Sequence, residues 1–303
     1  MNKNTMTAVA VSLLLSAPAR ALMIRLNLPD QQTDVPVVKG AAVEPLEDAL
    51  NPFNGLKMGS RDEEPAGPIW RVQRVLSLWG KKLPLKLNGA YDDDTMKAVL
   101  LYKAVYGTGK DGGSVDALTA RYLLAMESGS FWKDPPKKSA GGELLYAAMQ
   151  DLGIPYRLGG DGTITTDCAR FTQKALLAAS VILFPSPVVE VLRRVPYLRT
   201  ADFQWKWAKY GAAAGFPAYL HVREKGKETA GDLVFFKETY HPREDYWWTT
   251  ICDHVTHVGI YIGGGYMIAA HRPTVSIQKI ADNFEPGKIV GYAYVAAPGP
   301  KGR

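Results

Sequence analysis

The sequence predicts an α+β fold in which three short helices precede a domain of further helices, one opening at a cysteine, followed by short strands. Three observations lead there. Helical spacing dominates the first half of the chain, short β-branched and aromatic runs dominate the last quarter, and Thr165-Thr166-Asp167-Cys168 stands immediately before a helical run. Helices that come before strands, rather than alternating with them, favour α+β over a parallel α/β arrangement.

At 303 residues, 47% hydrophobic and 22% charged, the chain can bury a substantial core, and its length suits two modest domains better than one large one. Residues 1–21 read as an export signal. Lys3 is basic, Thr7 to Ala17 is nearly all apolar, and Ala17-Pro18-Ala19 or Ala19-Arg20-Ala21 supplies small residues for cleavage. The apolar run is about half of the roughly 20 residues that cross a bilayer, so no stable membrane span is expected, and the mature protein is placed in the periplasm or at the cell wall. No cysteine follows the run, which argues against a lipid anchor.

The formal charge of +6 falls to +4 without Lys3 and Arg20. That mild excess, with no basic run interleaved with aromatics, excludes nucleic acid as a partner. Two cysteines, Cys168 and Cys252, rule out a disulfide-dense scaffold and a four-cysteine zinc site, while one bridge between them and a redox role for Cys252 stay open. Neither a metal nor an organic cofactor is implied, and a monomer is expected.

Residues 22–66 carry Pro, Gly, Asp and Glu without sustained periodicity and are expected to be a linker. From Pro68 a helix is predicted by Ile69, Val72, Val75, Leu76 and Trp79, with Gly80 as its stop. A second follows the turn at Asn88-Gly89 and the acidic run Asp92 to Asp94, which suits a helix N-terminus; its apolar residues are Met96, Val99, Leu100 and Tyr102. A third carries Val115, Leu118, Tyr122 and Leu123. Together 67–128 predict a small three-helix domain, and 129–139, with Pro and Lys, a second linker.

Residues 140–298 then predict a helix at Glu143 to Leu152, a Gly-rich loop, a helix at about Asp167 to Ala179 and a long aromatic-rich segment. Strands follow at Leu233 to Phe236, Val255 to Ile262, Tyr266 to Ala270, Val275 to Ile277 and Val290 to Val295. Trp205, Trp207, Tyr210, Trp247 and Trp248 are either local packing or a substrate rim.

The helical part resembles the peptidoglycan-binding domain found beside many wall hydrolases. The residues that carry the resemblance are Val72-Gln73, Asn88-Gly89, Thr95 with Ala98-Val99, then Asp111-Gly112 and Thr119 with Leu123. Lys103 departs from it, standing where the family commonly has Gln. The resemblance implies that this part raises the local concentration of its neighbour on the polymer.

Thr166 or Asp167 can cap the helix that Cys168 opens. In that first turn, unpaired N–H groups and the helix dipole favour a thiolate, with the free-Cys pKa of about 8.5 lowered to roughly 3.5–7.5. The same N–H groups can serve an oxyanion. On the strand 253–262, His257, Gly259 and Tyr261 face one way and Val258, Ile260 and Ile262 the other. An imidazole there can take a thiol proton and return it to a leaving amine. A metal site of Cys252, His254 and His257 is disfavoured, because adjacent strand positions cluster poorly. Asp232 reads as a turn cap, and His221 and His241 as loop residues.

Four blocks, Tyr156-Arg157-Leu158-Gly159-Gly160, Asp167-Cys168, Gly231 to Phe236 and His257 to Gly263, resemble in order the signatures of the NlpC-type cysteine peptidases. The resemblance implies a papain-like α+β catalytic domain at 140–298, in which the helix carrying the cysteine packs on a small antiparallel sheet carrying the histidine. It also implies Cys168 as nucleophile, His257 as base and acid, and Tyr156 near the oxyanion site. The substrate class it implies is peptidoglycan, cut at a stem-peptide amide, by family habit γ-D-glutamyl to a diamino acid. Two places depart from the pattern: Ala169-Arg170 stands for the family's Ser-Gly, and Ala269 occupies the position of the third polar residue. His271, two residues on and so on the same strand face, is expected to orient His257 instead. The rival readings are an inactive wall-binding scaffold, an amidase cutting between sugar and peptide, and an antibacterial toxin.

Overall fold

The computed structural model describes residues 51–108, 112–132, 136, 138–183, 199–211, 219–240 and 252–296. The expected signal at 1–21, most of the expected linker at 22–66, and His241, Trp247 and Trp248 lie outside the described residues.

Helix α1 (Pro68–Trp79) starts on a proline, whose missing N–H costs nothing at a helix start, and stops at Gly80. Its free N–H groups at Ile69 and Trp70 donate, both at 2.9 Å, to the two oxygens of Asp62. The residues just before it are therefore part of the fold, which corrects the linker boundary. Phe53 is fully buried, and Asp62 supplies the cap that Gly67 cannot. Helix α2 (Asp93–Tyr106) is capped by Asp92 and ends at Gly107, in the left-handed region at φ 66°. Helix α3 (Ala117–Glu127) is capped by Asp116.

One buried side chain ties the first two helices to their turn. The amide of Gln73 donates to Asn88 Oδ1, the Ala90 carbonyl and Thr95 Oγ1, all at 2.9 Å, while its oxygen accepts from the N–H groups of Asn88 and Gly89. Lys103 does the equivalent work one helix later. Its ammonium, 1% exposed, reaches the carbonyls of Gly112 and Ser114 and pairs with Asp116 at 2.7 Å. A lysine replaces the expected glutamine because Asp116, the cap of α3, offers it a counter-charge. Lys103→Met keeps the volume but strands two carbonyls and a carboxylate, so urea denaturation is expected to show a loss of about 2–4 kcal/mol.

Helix α4 (Ala140–Ala148) is capped by Ser139, whose Oγ accepts from the Gly142 N–H. Gly142 has to be glycine because a Cβ there would lie 2.3 Å from the Val105 carbonyl at the end of α2. This seats the N-terminal helices directly on the second domain, and Glu44–Arg303 forms one compact unit. Helix α5 (Cys168–Leu183) follows, then α6 (Ala201–Tyr210), capped by Thr200. The aromatic-rich segment thus contains a helix that the sequence reading did not place. Trp205 and Trp207 are 4% and 7% exposed, so packing, not a substrate rim, accounts for both.

Among the described residues, six antiparallel strands run in the order β1-β6-β2-β3-β4-β5: β1 (Leu220–Val222), β2 (Leu233–Lys237), β3 (Val255–Gly263), β4 (Tyr266–His271), β5 (Thr274–Lys279) and β6 (Ile289–Val295). A one-turn helix, α7 (Ile280–Asn283), links the last two. Period-two alternation divides the sheet. Leu233, Phe235, Val258, Ile260 and Ile268 join the core with α5, whereas Val234, Phe236, Met267 and Ala269 face a smaller cluster closed by Ile280 and Phe284. The expected α+β architecture, a cysteine-opened helix on a small antiparallel sheet, is what the chain forms. No helix among the described residues is long and apolar enough to cross a membrane.

Candidate active site

Asp167 is the residue that places Cys168. Its Oδ1 accepts from the Arg170 N–H at 2.8 Å, capping α5, and its Oδ2 accepts from the Gly159 N–H at 3.0 Å, pinning the Gly-rich loop to the same helix end. The loop is held on its other side too. Tyr156 N–H donates to the Pro273 carbonyl, and Thr166 N–H to the Pro155 carbonyl, each within about 3 Å. Tyr156 is thereby stitched between the start of α5 and the β4–β5 turn.

Cys168 is a free thiol, 7% exposed. The N–H groups of Val258, Ala169 and Cys168 itself point at its sulfur. They do not produce the thiolate expected from helix position alone. Burial, with the Asp167 carboxylate next to it, pushes the thiol up to about 12, because desolvation of a full charge outweighs three backbone dipoles. The acid is therefore neutral in this form.

His257, 4% exposed, lies in β3 paired with Phe236 of β2, one residue from the Val258 N–H that reaches the sulfur. Alternation sends its ring to the Phe236 side of the sheet, as the sequence pattern requires. Burial, assisted by His271, pulls its pKa down to about 3, so the imidazole is the neutral base form. Its Nε2 is buried with no hydrogen-bond partner. The structure thus brings the sulfur to the backbone N–H of the residue that follows His257.

His271, the last residue of β4, stands edge-on to His257, with ring centroids 5.8 Å apart at 85°, and its ring lies 6.5 Å from that of Tyr156. The four expected residues therefore surround one corner of the sheet, with contact between neighbours and no continuous hydrogen-bonded chain. Burial, with Cys168 and Asp167 beside it, pushes the Tyr156 phenol up to about 12.

Two further residues belong here that sequence reasoning missed. Tyr240 feels Cys168, Tyr156 and Asp167, and with burial these raise its phenol above its ordinary value. Phe284 stacks on His257 at 5.0 Å and 27°. Neither sits in a signature block, and only proximity in the fold reveals them.

The turn into β3 is built at cost. Asp253 and His254 both lie in the left-handed region, at φ 58° and 53°. Asp253 is held there by the indole N–H of Trp205 at 2.6 Å and the ammonium of Lys209 at 2.8 Å. His254 is exposed while His257 is buried, so the two do not converge as metal ligands. A surface groove of about 440 Å³ opens beside this turn, with Lys237 and His254 on its wall.

Among solved structures, the chain is similar to an NLP/P60 family protein of Staphylococcus aureus described as similar to lipoprotein, at 20% identity over 58% of this chain and 48% of that one, with a TM-score of 0.35. It is also similar to NlpC1 of Trichomonas vaginalis, at 25% identity over 54% and 47%, with a TM-score of 0.34. Among curated proteins it is 29% identical over 158 residues to "Probable endopeptidase p60" of Listeria grayi. That alignment covers 52% of this chain and only 23% of the relative's length. The NlpC/P60 family model matches residues 153–292, a span that contains Cys168, His257, His271 and Tyr156. Residues 153–292 are thus similar to the NlpC/P60 family, a family of cysteine peptidases.

Proposed function

We propose that the protein is an exported peptidoglycan hydrolase that cuts an amide of the stem peptide, between γ-D-glutamate and a diamino acid, with Cys168 as nucleophile and His257 as base. The observation that carries this reading is the thiol in the first turn of α5, with the Val258 N–H aimed at its sulfur and His257 one residue away. Support for the wall comes from the family of the domain and from the Gln73 and Lys103 networks, which build the turns of the helical part.

Both partners start neutral, so the sulfur attacks as its proton passes to His257 and no ion pair has to wait in a dry site. The carbonyl carbon bonds to Sγ, and the N–H groups of Cys168 and Ala169 stabilise the oxygen. The protonated imidazole then gives its proton to the departing amine, and water hydrolyses the thioester.

Mass spectrometry of defined muropeptides digested by the purified protein tests the bond. Products split after γ-D-glutamate are expected. Release of intact stem peptide from the sugar would instead identify an amidase, and an absence of any product would support the scaffold reading.

His271 is proposed to orient His257 through its edge-on contact. His271→Ala is expected to lower kcat by about 10- to 100-fold, with KM within about twofold. Unchanged turnover on the same muropeptides would remove His271 from the mechanism.

A further inference from the structure

A catalytic imidazole is usually oriented by a hydrogen bond on one ring nitrogen, and here the buried Nε2 of His257 has none. Its plane is set by rings. Phe284 lies against one face with centroids 5.0 Å apart and planes 27° from parallel, and Phe236 stacks on Phe284 in turn at 4.3 Å and 25°. Phe236 also approaches His257 at 5.8 Å, and His271 meets the edges of both His257 and Phe284 at 5.8 and 5.7 Å. These three rings box in the imidazole. It cannot swing about χ2 without driving an edge into Phe284, because aromatic contacts favour offset stacking at such separations.

Phe284 is itself held from both sides. Its N–H donates to the carbonyl of Ile280, the first residue of α7, and after it the chain turns through Pro286–Lys288 to Ile289, which pairs with Phe236. Lys288 closes the strap with an ion pair to Glu238 at 3.0 Å. Phe284 is 7% exposed, so the ring also covers His257 from water.

We propose that Phe284 is a positioning residue, which fixes the plane of the His257 imidazole by stacking and keeps water from its Nε2. The proposal rests on the reading of His257 as the base. It assigns to an aromatic face the work that a polar third residue does at the position here occupied by Ala269. His271 is the titratable group acting on the imidazole; Phe236 and Phe284, from β2 and the strap, bring only apolar surface.

The test combines kinetics with NMR titration of His257. Phe284→Leu keeps an apolar side chain and removes the flat face. It is expected to lower kcat about 10-fold or more with little change in KM, and to move the titration of His257 up from about 3 towards its ordinary 6.5. Phe284→Tyr restores the ring and is expected to recover both. A leucine variant with wild-type kcat and an unmoved titration overturns the proposal. Should that variant not fold, the wild-type protein decides alone: upfield ring-current shifts on the His257 ring protons support stacking, and ordinary shifts overturn it. His257→Ala on the same muropeptides separates the two ideas. Full activity there ends the reading of His257 as base, while the titration and the ring-current shifts still report on Phe284.

Discussion

Cys168→Ala is expected to reduce muropeptide hydrolysis by at least about 10³-fold while leaving the fold intact. The substitution removes only the sulfur from a side chain packed at the N-terminus of α5, and loss of one small buried group costs about 1 kcal/mol in urea denaturation. The cap made by Asp167 stays, because it uses backbone N–H groups of Arg170 and Gly159 that the change does not touch. Retained activity in a folded alanine variant would sink the nucleophile. The raised thiol has a second measurable consequence. At pH 8, iodoacetamide is expected to label Cys168 about 10²- to 10³-fold more slowly than a free cysteine, since so little thiolate is present.

His257→Gln is expected to cost about 10²- to 10⁴-fold in kcat, the range for loss of a general base. It should also change how stability depends on acidity. The wild-type imidazole takes its proton only near pH 3 in the fold, but near 6.5 when unfolded, so between those values the unfolded chain binds the extra proton. The contribution of neutral His257 is complete above about pH 6.5 and is lost as the pH falls towards 3, at roughly 1 kcal/mol per unit. Urea melts at pH 7 and pH 5 should therefore lie closer together in the glutamine variant than in the wild type. Equal acid sensitivity in both would show that His257 is not the buried neutral group described.

Much of the site was readable from the chain because its parts are local. Asp167 followed by Cys168 and an apolar helical face states a capped helix outright, and the alternation from His257 to Ile262 states a strand with one face for chemistry. Other features depend on distant partners. Helix α6 was hidden because it buries Asp202 and Gln204 along with Trp205 and Trp207, which blurs the contrast between its polar and apolar faces. Strand β1 has three residues, too few for any pattern. The neutral thiol was misread because position at a helix start is a local fact, whereas burial is a property of the assembled domain. Phe284 lies 27 residues beyond His257 in a segment that reads as a turn, and only the folding of the strap over β2 places it.

Leu100 of α2 lies against Gly264 in the β3–β4 turn, just as the Val105 carbonyl fills the space above Gly142. A module seated this way does not swing its neighbour through a volume as a leash would; it acts as a ruler. If the helices hold the wall polymer, as their resemblance implies, each cut falls at a set offset from the grip. Mesh whose stems do not present at that offset would escape, and the spacing of cleaved stems along a strand would record the distance between the two seats.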